Sequence, residues 1–375
     1  MNKLLVIFAL VFFVFTSCKQ QQKEKTEFIV IELEKTINKT GPKGFMLNNI
    51  AESMRLIPVE TSDSVLLNHI FIKGVTEENI VIHSGNIGVH KKAVYFINKT
   101  NGKVSSIIDR YGQGPGEYIR IGDVHLNERE NTLYLHDSET KRTNEYTFDG
   151  KFIGTLKNDS IAAFRMLNDG NFAASYAPHI NTGFSLGIYD NSWNLLRRGL
   201  PKMEQNIKFD MIYFDAILNY NNEYFYKLAH SDTLYRITSE FDEPYIVHSK
   251  GKYNIPLDIK ASLKKTDKEG YKYIEQDFGK LISKYYFVNY YYNHGYISEI
   301  WDTENSTLIY KSRFSREGGV NGVPVIVNEK KIYVWPSYVT DDSLYCVIGN
   351  EDALSLIPSL PADTNPIILE IKIKL

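Results

Sequence analysis

One pattern constrains this chain more than any other: a short apolar strand that runs into a turn of Asn, Asp, Gly, Ser or Thr, recurring along its length. It is read at Val94-Tyr95-Phe96-Ile97 before Asn98 to Gly102, at Tyr146-Thr147-Phe148 before Asp149-Gly150, and at Gly187-Ile188-Tyr189 before Asp190 to Asn194. It returns at Leu234-Tyr235-Arg236-Ile237 before Thr238-Ser239, and at Ser298-Glu299-Ile300-Trp301 before Asp302 to Ser306. Such turns close hairpins. With Val347 as a sixth anchor, the spacings between Ile97, Phe148, Tyr189, Ile237, Trp301 and Val347 are 51, 41, 48, 64 and 46 residues. Four-stranded propeller blades occupy about 40 to 50 residues.

Before each anchor lies another apolar strand: Ile80-Val81-Ile82, Leu133-Tyr134-Leu135, Phe172-Ala173-Ala174, Tyr224-Phe225-Tyr226, Tyr286-Phe287-Val288 and Ile332-Tyr333-Val334. Six such pairs predict an all-β chain folded as a six-bladed β-propeller with four-stranded blades. A β-sandwich would not need six equivalent pairs at near-constant spacing. The longest interval contains residues 257 to 284, the one stretch that reads with helical period. The chain ends in Ile367-Ile368-Leu369-Glu370-Ile371-Lys372-Ile373, a strand with no local partner, so the ring is expected to close by pairing N- and C-terminal strands. Arg55-Leu56-Ile57-Pro58-Val59 is the expected N-terminal participant, since Pro58 is tolerated on an edge.

At the N-terminus, Lys3 precedes the apolar run Leu4 to Phe15, and Thr16-Ser17-Cys18 follows. The run is shorter than the roughly 20 residues a spanning helix needs, so it reads as a signal peptide. The end of the run resembles the bacterial lipobox, which implies cleavage before Cys18 and lipid on that cysteine. The expected organisation is a lipoprotein signal peptide over 1–17, a lipid-anchored tether and N-terminal segment over 18–45, and the propeller over 46–375. The remaining cysteine, Cys346, sits in an apolar strand and is read as a buried thiol without a role. Acylated Cys18 leaves it no disulfide partner.

The segment Tyr111-Gly112-Gln113-Gly114-Pro115-Gly116-Glu117-Tyr118, with Leu133-Tyr134-Leu135-His136-Asp137, Arg142 and Tyr146 to Phe152, resembles an NHL-type propeller repeat. Together with Arg55-Leu56-Ile57-Pro58-Val59-Glu60-Thr61-Ser62-Asp63, it resembles the six-bladed β-propeller lipoproteins of Bacteroides-like bacteria. That resemblance covers the chain after about residue 45 and implies a lipid-anchored cell-envelope protein, periplasmic or associated with the outer membrane. It supplies no reaction.

The Gly-rich segment lacks the Gly-Lys-Ser/Thr ending of a phosphate loop and opens no helix, so it reads as the connection from the outer strand of one blade to the inner strand of the next. Loops on rigid scaffolds carry binding, which makes Arg110, Gln113, Glu117 and Tyr118 the candidate binding residues of the disc face. Gly183-Phe184-Ser185-Leu186-Gly187 matches the nucleophile-elbow pattern, but a strand and hairpin follow it where the elbow needs a helix. No catalytic residue is assigned. No metal or cofactor is expected either, since the chain has no His-x-His, no Cys pair and no EF-hand loop. Tyr285 to Tyr292 is the densest aromatic stretch; strand propensity accounts for most of it, and exposed rings would suit a glycan or protein. Asp63-Ser64, Asp159-Ser160, Asp232-Thr233 and Asp342-Ser343 resemble acceptors of Bacteroides-type O-glycosylation.

With 43 Lys+Arg against 45 Asp+Glu, the chain has no charge excess to hold nucleic acid. The expected partners are the membrane, through the anchor, and an envelope protein or glycan. The reading is a non-catalytic binding or scaffold module. The alternative is a propeller hydrolase or lyase acting on sugars or lactones from the central channel, whose site would draw residues from several blades and leave no linear motif.

Overall fold

A computed structural model describes residues 28–374, apart from 64, 68, 85–92, 158–160, 177–182, 202–215, 221, 229–230, 257–258, 260–269 and 317. Six four-stranded antiparallel sheets form a ring of blades, which is the expected propeller. Blade 1 takes Ile70–Val75, Asn79–Ser84, Ala93–Asn98 and Val104–Ile108. Blade 2 takes Ile121–Asn127, Thr132–Asp137, Arg142–Thr147 and Phe152–Lys157. Blade 3 follows with Ile161–Met166, Phe172–Tyr176, Leu186–Tyr189 and Leu195–Arg198. Blade 4 comprises Ala216–Tyr220, Glu223–Lys227, Thr233–Ile237 and Asp242–His248, and blade 5 comprises Glu275–Ile282, Tyr285–Tyr292, Gly295–Asp302 and Thr307–Ser315.

Blade 6 closes the ring with Tyr338–Val339, Ser343–Ile348 and Ile367–Ile373, and its outermost strand is Ala51–Pro58 from the other end of the chain. In the closing pair Arg55 lies opposite Glu370, and the Arg55 guanidinium donates to the Glu370 carboxylate. The Tyr345 hydroxyl donates to the same carboxylate at 2.6 Å.

The middle strands of a blade are covered on both faces by the neighbouring blades, so they are apolar without alternation. Leu133 and Leu135 in blade 2 and Ala173 and Ala174 in blade 3 are all fully buried. Outer strands meet water: Leu195 and Leu196 remain exposed. The repeated turn residue has a common task. Asp190 accepts from the Ser192 and Asn194 amides, Thr238 from those of Glu240 and Phe241, and Asp302 from those of Glu304 and Asn305. Asn98 does the same for Thr100 and Asn101. These side chains satisfy backbone donors that the hairpin cannot pair, which is why short oxygen-bearing residues recur there.

Three expectations are corrected. The sixth repeat is out of phase: Val347 lies on the second strand of blade 6, whereas the other anchors lie on third strands or just past one. Its supposed companion, Ile332-Tyr333-Val334, belongs to a separate hairpin of Val323–Val327 and Lys330–Val334. Within the stretch read as helical, residues 275 to 282 form the inner strand of blade 5, and most of 257–269 lies outside the described residues. Finally, residues 28 to 45 are built into the body. Ile29–Ile31 adds a fifth, parallel strand to blade 4, and Ile31, Leu33 and Ile37 are core residues.

That segment is clamped on blade 5 by Glu299, which is fully buried and accepts hydrogen bonds from Thr36, Tyr290 and Trp301. Lys311 pairs with Glu299 at 3.2 Å and donates to the Thr36 carbonyl at 2.6 Å. No helix among the described residues is long and apolar enough to cross a membrane. The signal peptide and Cys18 lie outside the described residues.

Candidate functional site in the central channel

The Gly-rich loop connects blade 1 to blade 2, but its side chains turn inward more than expected. Tyr118 is fully buried, its hydroxyl donates to the Ile108 carbonyl at 2.8 Å, and it packs in the core between the two blades. It holds the interface and does not line a face, because the chain reverses so tightly that its backbone amide returns to the Arg110 carbonyl at 2.9 Å. Glu117 is half-buried and accepts from the Gly114 amide at 2.7 Å, closing the loop on itself. Arg110 and Gln113 are exposed, and the Gln113 carbonyl accepts from Arg142. Gly116 has φ +70°, and a Cβ there would lie 2.6 Å from the Phe152 ring.

A different constellation forms where the inner strands converge. A cavity of about 230 Å³ lies on the ring axis, lined by residues from the innermost strand of every blade. Each inner strand contributes at least one polar side chain, among them Lys73, Asp123, Arg165, Asn219, Lys280 and Tyr338. The walls between them are apolar and aromatic, including Ile72, Leu218, Phe225 and Leu281. Sequence reasoning anticipated that distant residues could meet here but named none of them.

The six are not equivalent electrostatically. Arg165 Nη1 donates to Asp123 Oδ2 at 2.5 Å and to the Phe164 carbonyl at 2.6 Å. Burial opposes ionisation of Asp123, yet Arg165 and Lys73 together outweigh it and hold the carboxyl below its ordinary range. This pair is therefore a self-neutralised ion pair. Lys73, Lys280, Asn219 and Tyr338, by contrast, have no hydrogen-bond or ion-pair partner for their side chains among the described residues. Burial lowers the pKa of Lys280 and raises that of Tyr338. The channel thus holds three cations against one carboxylate, and four side chains with unused hydrogen-bonding capacity.

Other candidates are structural. Ser185 is buried, its hydroxyl reaches the Pro201 carbonyl at 3.5 Å, and the chain continues as a strand and not as a helix. Cys346 is fully buried, and burial pushes its thiol up to about 12 despite nearby Lys280. In the tyrosine-rich strand, Tyr286 and Tyr290 are buried and bonded to His248 and Glu299, while Tyr291 is half-buried between Tyr271 and Tyr296. Of the O-glycosylation acceptors, Thr233 and Ser343 are buried in strands and bonded to their own Asp neighbours, so neither is open to modification. Ser64 and Ser160 lie outside the described residues. Among the described residues no three His, Cys, Asp or Glu side chains group as a metal site.

Fold and channel together define a six-bladed propeller with an axial cavity that every blade lines. The chain belongs to the DUF4934 family, a domain of unknown function whose profile matches residues 28–373. Among solved structures, it is similar to a Bacteroides fragilis protein classed by prediction as exported, at 17% identity and TM-score 0.70, covering 93% of this chain and 100% of that one. A Bacteroides vulgatus member of the DUF4221 family matches at 11% identity and TM-score 0.47, covering 87% and 97%. No curated protein matches the chain.

Proposed function

We propose that this protein is an exported, lipid-anchored binding module of the cell envelope, which holds a small molecule or the end of a glycan in its central channel without transforming it. The observation that supports this reading is the set of four polar side chains, Lys73, Asn219, Lys280 and Tyr338, that face one cavity from four blades and have no hydrogen-bond or ion-pair partner among the described residues. Rigid inner strands hold such groups without ordering cost, which is what a binding site needs. The apolar stretch before Cys18 and the export assigned to the Bacteroides fragilis protein support the address. The hydrolase alternative has less support: among the described residues the one carboxylate lining the cavity is tied to Arg165, whereas glycoside hydrolysis uses two carboxyl groups with divergent pKa values.

Asn219→Trp tests the reading, since Asn219 is exposed at the cavity and its side chain makes no hydrogen bond among the described residues. A calorimetric panel of neutral and acidic monosaccharides should show binding to the wild-type protein that the variant abolishes. Binding that survives the blockade would place the site elsewhere on the disc.

A further inference from the structure

The channel charges without a partner among the described residues stand on one side, and they say what its occupant carries. The innermost strand of blade 6, Tyr338–Val339, has two residues, where the other five inner strands have between five and eight. On the two strands that flank it stand Lys73 of blade 1 and Lys280 of blade 5, with Tyr338 between them. The compensated pair, Asp123 and Arg165, belongs to blades 2 and 3. Resting on the binding reading above, we infer that the ligand is a small carboxylate whose acid group lies beside blade 6, between Lys73 and Lys280, with the Tyr338 hydroxyl as a third donor.

The physical argument is one of unpaid desolvation. An ammonium group that shares a half-buried cavity wall with Ile72, Leu281 and Val339 gives up part of its water and has no acceptor among the described residues. Lys73 feels the field of Asp123, but that carboxylate's hydrogen bonds go to Arg165. Lys280 lies near the buried Cys346 thiol, which is uncharged at neutral pH and leaves the ammonium without a counter-charge among the described residues. A carboxylate supplies two oxygens and one negative charge, so it satisfies both ammonium groups at once, and a low-dielectric wall strengthens each contact. The cavity of about 230 Å³ lies just below the roughly 300 to 1,000 Å³ usual for small-molecule sites, which admits a compact acid and excludes a folded partner. Phe225 and Tyr220 on the blade 4 side offer ring faces to the body of such a ligand.

Two sources of a small carboxylate are separable: a sugar acid, for which galacturonate is the probe, and a short dicarboxylate, for which succinate is the probe. Galactose, which lacks the acid, is the neutral comparison. Calorimetry on the wild-type protein should show galacturonate or succinate binding with one-to-one stoichiometry and at least about tenfold more tightly than galactose. Lys73→Met and Lys280→Met should each weaken the acid by about tenfold or more, while Lys39→Met on the surface leaves it unchanged. The comparison of galacturonate with galactose needs no variant, so it decides the question even if a lysine substitution fails to fold. Galactose binding as tightly as the acids would overturn the carboxylate inference and leave the channel reading standing. If no probe binds, the inference falls and the channel reading loses its support with it. Acid affinity that persists in folded Lys73→Met or Lys280→Met would also overturn it.

Discussion

Asp277, at 5% exposure, receives His248 Nδ1 at 2.5 Å, Lys250 Nζ at 2.7 Å and Lys227 Nζ at 3.3 Å. Burial alone would disfavour its charge, but the two lysines and the imidazole drive its pKa well below the ordinary value. Removing that charge strands two buried ammonium groups, so Asp277→Asn should cost about 3 to 5 kcal/mol in a denaturant melt, and a loss below 1 kcal/mol would refute the reading. The Gly-rich loop gives a second test. Gly116→Val meets both a positive φ and the Phe152 ring and should cost about 2 kcal/mol or more, whereas Gly114→Val meets only the end of the Glu117 side chain, with no positive φ, and should cost less than half as much. Equal losses would mean the loop is less tightly built than its contacts imply. A loop on a rigid scaffold places Tyr118 on the disc face by sequence, and nothing local reveals that its ring folds back into the core between the blades. Lys73 and Lys280 did leave a signal: each interrupts an apolar strand, Ile70 to Val75 and Phe278 to Ile282, with a lone cation.

At the level of elements, the closing strand was legible because Ile367 to Ile373 is too apolar to stand alone at a terminus. The N-terminal strand was not. Ile29-Val30-Ile31 is three residues long, and its parallel partner, Ile246-Val247-His248, lies more than two hundred residues away. Its integration gives a direct expectation. Deleting residues 28–37 removes Ile31, Leu33 and Ile37 from the core and leaves Glu299 without Thr36, so the melting temperature should fall by about 5 °C or more. A melting temperature within 1 °C of the full chain would return this segment to the role of a tether. The phase slip of the sixth repeat has a similar cause: the extra hairpin at 323–334 copies the strand-pair pattern without joining a blade, so spacing alone cannot distinguish it.

The whole molecule carries a pH dependence set by buried imidazoles. Burial lowers the pKa of His125 to about 3, with Arg165 adding to the effect, and His125 Nε2 accepts the Met166 amide at 3.0 Å. Burial likewise lowers His136 and His248, against the opposing pull of Asp123 and Asp137 in the first case and Asp277 in the second. Each folded pKa lies below the ordinary 6.5, so the unfolded chain binds the extra proton. Their stabilisation is complete above that value and is lost as pH falls from 6.5 toward the folded pKa of each. Each adds a slope of up to about 1.4 kcal/mol per pH unit there, so the melting temperature should drop measurably between pH 7 and pH 5. A flat profile would mean these histidines bind protons equally in the folded and unfolded protein.

The ring itself follows from strand spacing, but its axis gathers residues as far apart as Lys73 and Tyr338, which only the closed ring brings together. The most direct measurement is a pair of crystal structures of the protein, one soaked with galacturonate and one with succinate. The expected result is at least one of the two acids on the propeller axis, with its carboxylate within hydrogen-bond reach of Lys73 and Lys280. A channel empty under both saturating acids, or either acid bound instead on the Arg110 and Gln113 face, would contradict the account.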